Sequence, residues 1–72
     1  MDKLLSSSHT LDLLLDLIKK TLHRNLILKF NYQNDRYLFY DPIKNTYLNS
    51  YYIDYKMIDD MYYLYKSEVW IC

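Results

Sequence analysis

The chain is short and nothing cross-links it, which limits the ways in which it can fold. It has 72 residues, enough for one domain, and its single cysteine, Cys72, is the last of them. A chain of this length buries only about 60% of the surface that its unfolded form exposes. Without an internal disulfide, its stability must come from oligomerisation or from large core side chains. The aromatic content of 18% supplies such side chains, since each buried Tyr or Trp removes roughly 150–250 Å² from water.

Residues 10–24, TLDLLLDLIKKTLHR, carry the clearest periodic signal. Apolar side chains recur there at helical spacing and form one stripe, at Leu11, Leu14, Leu15, Ile18 and Leu22. Thr10 or Ser8 is the candidate N-cap, and Asn25 is a candidate left-handed stop. Acidic side chains lie near the start and basic ones near the end, as the helix dipole favours. The sequence therefore predicts an amphipathic helix.

After Asn25 the hydrophobic period changes to two. The stretches LILKFNY (26–32) and RYLFYD (36–41) alternate as half-buried strands do, with the turn QND between them. Pro42 ends the second strand because it cannot donate a ladder hydrogen bond. The turn IKN follows, and a further extended stretch begins with TYLNSYYI. The residues EVWI (68–71) are predicted as a final strand segment.

These elements predict an α+β fold. An N-terminal amphipathic helix is followed by an antiparallel sheet or small barrel of four to five strands, and the helix closes one side. Residues 1–9 are interpreted as a short polar lead-in, and residues 10–72 as a single small domain.

Residues 51–65, YYIDYKMIDDMYYLY, hold six of the ten tyrosines and allow two structures. A hairpin that turns at Asp59–Asp60 has an apolar face with Ile53, Tyr55, Met57, Tyr62 and Leu64. Its other face is mixed, with Asp54, Lys56, Ile58, Met61, Tyr63 and Tyr65. The β preference of tyrosine favours the hairpin, although a turn without glycine opposes it. The alternative is a second helix at about 52–66, because Ile53, Met57, Met61 and Leu64 also recur at helical spacing.

Composition excludes several classes of function. The chain has no glycine, which the phosphate-binding loops of P-loop and dinucleotide-binding proteins require. Its nine basic and nine acidic residues give a net charge of zero, so tight binding to duplex nucleic acid is not favoured. His9, His23 and Cys72 lack the spacing of a zinc site. We expect neither an enzyme nor a cofactor or metal, and no membrane segment, and we expect a soluble cytoplasmic protein.

The tyrosines are the remaining functional signal. Some of them must fill a small core, and the rest are typical of a contact surface, because aromatic side chains bury a large area with few rotatable bonds. The candidate partner-binding residues are Tyr51, Tyr52, Tyr55, Tyr63 and Tyr65. A tyrosine platform with nearby cations is also typical of surfaces that stack unpaired bases, and Arg36, Lys56 and Lys66 are the candidate nucleic-acid contacts.

From residue 13 onward the order of these motifs resembles that of the WYL domain. LILKFNY, Pro42, YLNSYYI (47–53), the Asp59–Asp60 turn and VWI (69–71) follow one another as the corresponding segments do in that family. Tyr51, Tyr52 and Ile53 stand where the family has its name-giving triplet. The resemblance implies a helix followed by a small Sm-like β-barrel that binds a nucleotide or single-stranded nucleic acid. This chain lacks the arginines with which such domains hold an anionic ligand.

Three functional hypotheses follow. The first is a small non-enzymatic interaction protein that binds a larger host protein or complex and inhibits or modulates it sterically, for example as an anti-defence inhibitor. The absence of Gly and Ala beside abundant Lys, Asn, Ile and Tyr indicates an A/T-rich genome, as in many viruses, phages and mobile elements. The second is a WYL-like regulatory module, and the third is a homodimeric structural subunit.

Overall fold

The computed structural model describes residues 2–68, which form one helix and a five-stranded antiparallel sheet. In chain order the elements are β1 (Lys3–Ser8), α1 (Leu11–Leu22), β2 (Ile27–Asn31), β3 (Arg36–Asp41), β4 (Thr46–Lys56) and β5 (Met61–Lys66). The strand order across the sheet is β1-β5-β4-β3-β2. Consecutive strands from β2 to β5 are joined as hairpins, and β1 pairs with β5.

This architecture corrects the predicted fold class in three respects. The helix does not precede the whole sheet, because strand β1 lies before it. The sheet is open rather than closed into a barrel, since β1 and β2 form its two edges and do not pair with each other. The alternative of a second helix at about 52–66 is wrong, because these residues form parts of two strands, and the favoured hairpin is confirmed. Predominantly β structure with a single short helix therefore replaces the predicted arrangement.

The missed strand β1 has a physical explanation. Its sequence, KLLSSS, has no apolar alternation and was interpreted as part of a polar lead-in. An edge strand needs only one neighbour, and its backbone bonds to β5 do not depend on apolar side chains. The periodic signal that identifies a half-buried strand is therefore absent from this one. The last predicted strand segment, at 68–71, lies beyond the described residues except for Glu68.

Helix α1 is confirmed, and it is shorter than the predicted range 10–24, since it runs from Leu11 to Leu22. Leu14 and Ile18 are the buried members of its apolar stripe. At the start, the Thr10 backbone N–H donates to Ser8 Oγ over 3.1 Å. At the end, His23 rather than Asn25 adopts the left-handed conformation, with φ of 54°, and its N–H donates to the Lys19 carbonyl. No helix within residues 2–68 has the length and hydropathy needed to cross a membrane.

The core lies between α1 and one face of the sheet. It is formed by Leu14, Ile18, Leu26, Phe39, Ile53 and Leu64, all of them buried. The helix contributes two of these side chains, and the strands and the residue before β2 contribute the rest. Because successive side chains of a strand point to opposite faces, the neighbours of Phe39, Ile53 and Leu64 lie on the face away from the helix. No element of residues 2–68 covers that second face.

All three hairpins turn in the same way without glycine. Each loop has four residues, closed by the pairs Asn31–Arg36, Asp41–Thr46 and Lys56–Met61. The last loop residue is left-handed in every case: Asp35, Asn45 and Asp60 have φ between 52° and 54°. Asp and Asn tolerate this conformation better than other residues with a Cβ.

The four-residue loop also changes the predicted register of the β4–β5 hairpin. Tyr55 pairs with Tyr62, two positions away from Leu64, the partner that a two-residue turn at Asp59–Asp60 would give it. A shift of two residues leaves every side chain on its predicted face. Ile53, Tyr55, Tyr62 and Leu64 therefore share the helix side, while Met57 and Ile58 lie in the exposed turn.

Candidate interaction surface

The sheet face away from the helix, called here the open face, carries a continuous row of large side chains. The row crosses all five strands through the paired positions Lys29, Leu38, Tyr52, Tyr65 and Leu4. A second row beside it contains Asn31, Arg36, Asp54, Tyr63 and Ser7. Tyr40 and Tyr47 add a third pair of rings, 4.9 Å apart. The open face is therefore aromatic over most of its width.

Tyr52 lies at the centre of the open face and is only 7% exposed. Its ring stacks on Tyr65, with centroids 5.3 Å apart and planes 18° from parallel. The guanidinium of Arg36 lies 4.0 Å from the centroid of Tyr52. The Tyr52 hydroxyl donates a hydrogen bond to the carboxylate of Asp2. Burial, together with this carboxylate, raises the pKa of Tyr52 to about 12.

Arg36 is held between the Tyr52 ring and a carboxylate. Its Nε lies 3.4 Å from Asp54 Oδ1, on the paired position of β4. That nitrogen is buried and has no hydrogen-bond partner within residues 2–68. Burial raises the pKa of Asp54, and the nearby Arg36 charge opposes that effect. Arg36 is thus already engaged by neighbouring side chains, and its predicted role as a nucleic-acid contact would require it to leave them.

Tyr63 and Lys56 form a second engaged pair on the open face. Lys56 Nζ lies 4.8 Å from the centroid of Tyr63. The Tyr63 hydroxyl donates to Asp59, and this hydrogen bond raises the pKa of Tyr63. The bond ties strand β5 to its own turn, but Tyr63 remains only half-buried.

The structure separates the predicted site residues into two groups. Tyr52, Tyr63, Tyr65, Arg36 and Lys56 lie on the open face. Tyr51, Tyr55 and Lys66 lie on the helix side of the sheet. Tyr55 is not a core residue, because it is 40% exposed at the end of the hairpin, where its hydroxyl donates to Asp60 Oδ1 over 2.6 Å. The eight residues therefore do not form one surface.

Several members of the open face were missed from the sequence. They are Leu4, Lys29, Leu38, Tyr40 and Tyr47. Tyr47 is 46% exposed, and Lys29 Nζ lies 4.1 Å from the centroid of Tyr40. The alternation around Phe39 in RYLFYD was the available signal, because it places Leu38 and Tyr40 opposite the core residue.

Charges on and around the open face are balanced. Lys29, Arg36 and Lys56 supply three positive charges, each of them over a tyrosine ring. Asp2, Asp54 and Asp59 supply three negative charges, each beside one of the residues described above. No group of three or more His, Cys, Asp and Glu side chains placed to hold a metal ion occurs within residues 2–68. These six charged groups of the open face therefore sum to zero.

Comparisons with family models, with curated proteins and with solved structures found no significant match to this chain. The geometry of the open face is therefore the basis for a functional proposal.

Proposed function

We propose that this chain is a small non-enzymatic interaction protein that binds a larger protein through its open face. The observation that carries the proposal is the row of large aliphatic and aromatic side chains through Leu38, Tyr52 and Tyr65, which no element of residues 2–68 covers. In most two-layer domains the uncovered sheet face is polar. Tyrosine-rich, charge-balanced surfaces are instead typical of the centres of protein interfaces.

The mechanism that we propose is steric. The rings of the open face are held by stacking and by hydrogen bonds to Asp2 and Asp59, so they would lose little side-chain entropy on binding. A rigid sheet that covers a functional surface of the partner blocks access to that surface without any reaction. The amino-acid composition, which is of the kind that A/T-rich genomes encode, leads us to propose a viral, phage or mobile-element source and a partner in the host, such as a defence or polymerase complex.

A pull-down with matched variants tests the proposal. The open-face variant Tyr47→Ala/Tyr65→Ala removes two rings from the open face. The control variant Tyr55→Ala/Ile58→Ala removes two exposed side chains, one on the helix side of the sheet and one in the turn between β4 and β5. We expect host proteins captured by the wild type and by the control to be lost with the open-face variant, while circular dichroism shows all three chains folded. Equal capture by both variants would assign binding to another surface.

Single-stranded nucleic acid is the second candidate, and it corresponds to the WYL-like alternative. The three cations over tyrosine rings favour it, because this combination also binds bases and phosphates. The same cations already cover ring faces that a base would need. Fluorescence titration with single-stranded oligonucleotides at two salt concentrations separates the candidates: salt-sensitive binding at micromolar protein would favour nucleic acid. Light scattering tests the third alternative, a homodimer.

A further inference from the structure

A groove on the helix side of the sheet has no part in the proposed function. It lies between α1 and the edge formed by β1 and β5, and it encloses about 450 Å³. Ligand pockets in proteins have volumes of roughly 300–1,000 Å³. Leu5, Leu17 and Ile18 supply its apolar lining, and Lys3, Lys66 and Tyr51 supply polar groups. Since the open face lies across the sheet, the two surfaces are separate.

The two lysines of the groove are direct neighbours. Lys3 pairs with Lys66 across β1 and β5, and Lys66 pairs with Tyr51 across β5 and β4. Like charges directly opposite one another in an antiparallel pair are destabilising. The ion pairs Arg24–Asp41 and Arg36–Asp54 do not include these lysines. A shared anion would relieve the repulsion between them.

The groove also leaves apolar surface uncovered. Leu17 is 42% exposed and Leu5 is similarly exposed, although both line a concave site. Glu68 also lines the groove. The two adjacent lysines beside an apolar lining are complementary to a ligand that has an apolar body and a small anionic head group. A polyphosphate does not fit the apolar lining.

We propose that the groove lined by Lys3, Leu5, Leu17, Tyr51 and Lys66 binds a small amphipathic monocarboxylate, of the kind represented by a medium-chain fatty acid. The two ammonium groups hold the carboxylate, the Tyr51 hydroxyl is available to donate to it, and the leucines cover the hydrocarbon chain. Charge-assisted hydrogen bonds of this type are about twice as strong as neutral ones. Removal of the water over Leu5 and Leu17 adds the hydrophobic contribution.

Titration calorimetry of the full chain with decanoate tests this proposal. We expect saturable binding of decanoate, roughly tenfold weaker binding of decanol, which lacks the charge, and no binding of acetate, which lacks the hydrocarbon chain. The variant Lys3→Gln/Lys66→Gln should bind decanoate at least about tenfold more weakly. Its matched control, Lys20→Gln/Lys44→Gln, removes two lysines that do not line the groove and should bind as the wild type does. Leu17→Gln tests the apolar lining separately and should also weaken binding.

Four results would overturn the proposal. Decanol that binds as tightly as decanoate would remove the role of the lysines, as would decanoate binding that Lys3→Gln/Lys66→Gln leaves unchanged. Binding of an acidic leucine-rich peptide, but not of decanoate, would assign the groove to a protein segment. A change of molecular mass in light scattering of the lysine variant, without decanoate binding, would assign it to a second copy of the chain. The open-face variant should retain decanoate binding, so that this test and the pull-down fail independently.

Discussion

Tyr52 was predicted to contact a partner, but its side chain mainly contacts other residues of this chain. Its ring is covered by Tyr65 and Arg36, and its hydroxyl bonds to Asp2, at the start of the described chain. A partner can therefore reach little of Tyr52 itself. Its role is to fix the orientation of the neighbouring rings, which the partner would contact.

Replacement of Tyr52 by Phe tests this interpretation. The ring stack should remain, and the loss of the hydroxyl–carboxylate bond should lower the free energy of unfolding by about 1 kcal/mol. The pKa of Tyr52 rises from 10.0 to about 12 on folding, mainly because the side chain is buried. Its stabilising effect is therefore complete below about pH 10 and is lost as the pH rises towards 12. Urea denaturation across this range should show a smaller alkaline loss in Tyr52→Phe than in the wild type. If Tyr52→Phe and the wild type lose the same free energy of unfolding at high pH, the ionisation of Tyr55 and Tyr63 accounts for that loss.

Asp41 is the buried carboxylate that joins the helix end to the sheet. Its Oδ2 accepts hydrogen bonds from Arg24 Nε and Nη2, at 3.0 and 2.6 Å. Its Oδ1 accepts from the backbone N–H groups of Ile43 and Lys44, at 3.0 and 3.1 Å. The Arg24 bond is the largest of the causes that lower the pKa of Asp41 below its usual 3.8.

Replacement of Asp41 by Asn should lower the thermal midpoint by several degrees at neutral pH, because the charge that Arg24 contacts is removed. Since folding depresses the pKa of Asp41, its stabilising effect is present above about pH 3.8 and is lost as the pH falls through the lower folded value. The difference between the two chains should therefore shrink in acid. Thermal denaturation at neutral pH and below pH 3.8 measures it, with the exposed Asp35→Asn as the control. A difference that does not vary with pH would rule out the carboxylate charge as its cause.

The hairpin turns are the elements in which the absence of glycine matters most. Each turn ends on a left-handed Asp or Asn, a conformation that costs most residues with a Cβ roughly 1–2 kcal/mol. Asp60 and Asn45 offset part of this cost through hydrogen bonds from Tyr55 and Tyr40. Asp35 is exposed and precedes β3 with φ of 53°.

Replacement of Asp35 by Gly should raise the free energy of unfolding by roughly 0.5–1 kcal/mol, because Gly adopts positive φ without a Cβ clash. Asp35→Val should lower it by at least as much, since a β-branched residue is unfavourable there. Urea denaturation of both variants gives the two differences. Destabilisation by Gly would show that the entropy gained by the unfolded chain exceeds the relief of strain in the turn.

The elements differ in how far the sequence predicted them. Helix α1 was predicted because Leu11, Leu14, Ile18 and Leu22 repeat a local period that packing did not override. Strand β1 was missed because its pairing with β5 depends on residues nearly sixty positions away rather than on its own pattern. The β4–β5 register was wrong by two positions because a two-residue loop was assumed at Asp59–Asp60. The faces were still correct, since they depend only on whether the shift is even.

At the scale of the whole molecule, one small core carries most of the stability. Proteins are stable by roughly 0.05–0.15 kcal/mol per residue, which gives about 4–11 kcal/mol for a chain of this length. Phe39, from the central part of the sheet, is the largest fully buried side chain. Loss of one such side chain removes a large share of this total.

Replacement of Phe39 by Ala should therefore cost roughly 3–5 kcal/mol, a large share of that total, and lower the thermal midpoint markedly. Tyr32→Ala is the control, because Tyr32 is 85% exposed in the turn after β2. Circular dichroism melting curves of both variants and the wild type measure the effect. A cooperative transition of Phe39→Ala close to that of the wild type would mean that the core has rearranged to fill the cavity.

The residues of the open face were predicted only in part, because a local sequence pattern does not show which strands lie side by side. Alternation within YYIDYKMIDDMYYLY correctly separated Tyr63 and Tyr65 from Ile53 and Leu64. Which tyrosines of other strands join them depends on strand order, which local patterns do not contain. Tyr47 and Leu4 therefore became visible only when β3 and β1 took their places beside β4 and β5.

A sheet that residues 2–68 cover on one side only has a consequence for how long the molecule survives in a cell. A partner that covers the open face stabilises the folded state by mass action, by about 2.7 kcal/mol when it is present at 100 times its dissociation constant. For a chain with so small a margin, that increment decides whether unfolded copies are rare or are steadily removed by proteases. On the proposed function, unbound copies are degraded and bound copies persist. The abundance of the protein would then follow the abundance of its target. No separate control of its synthesis would be needed to match the two amounts.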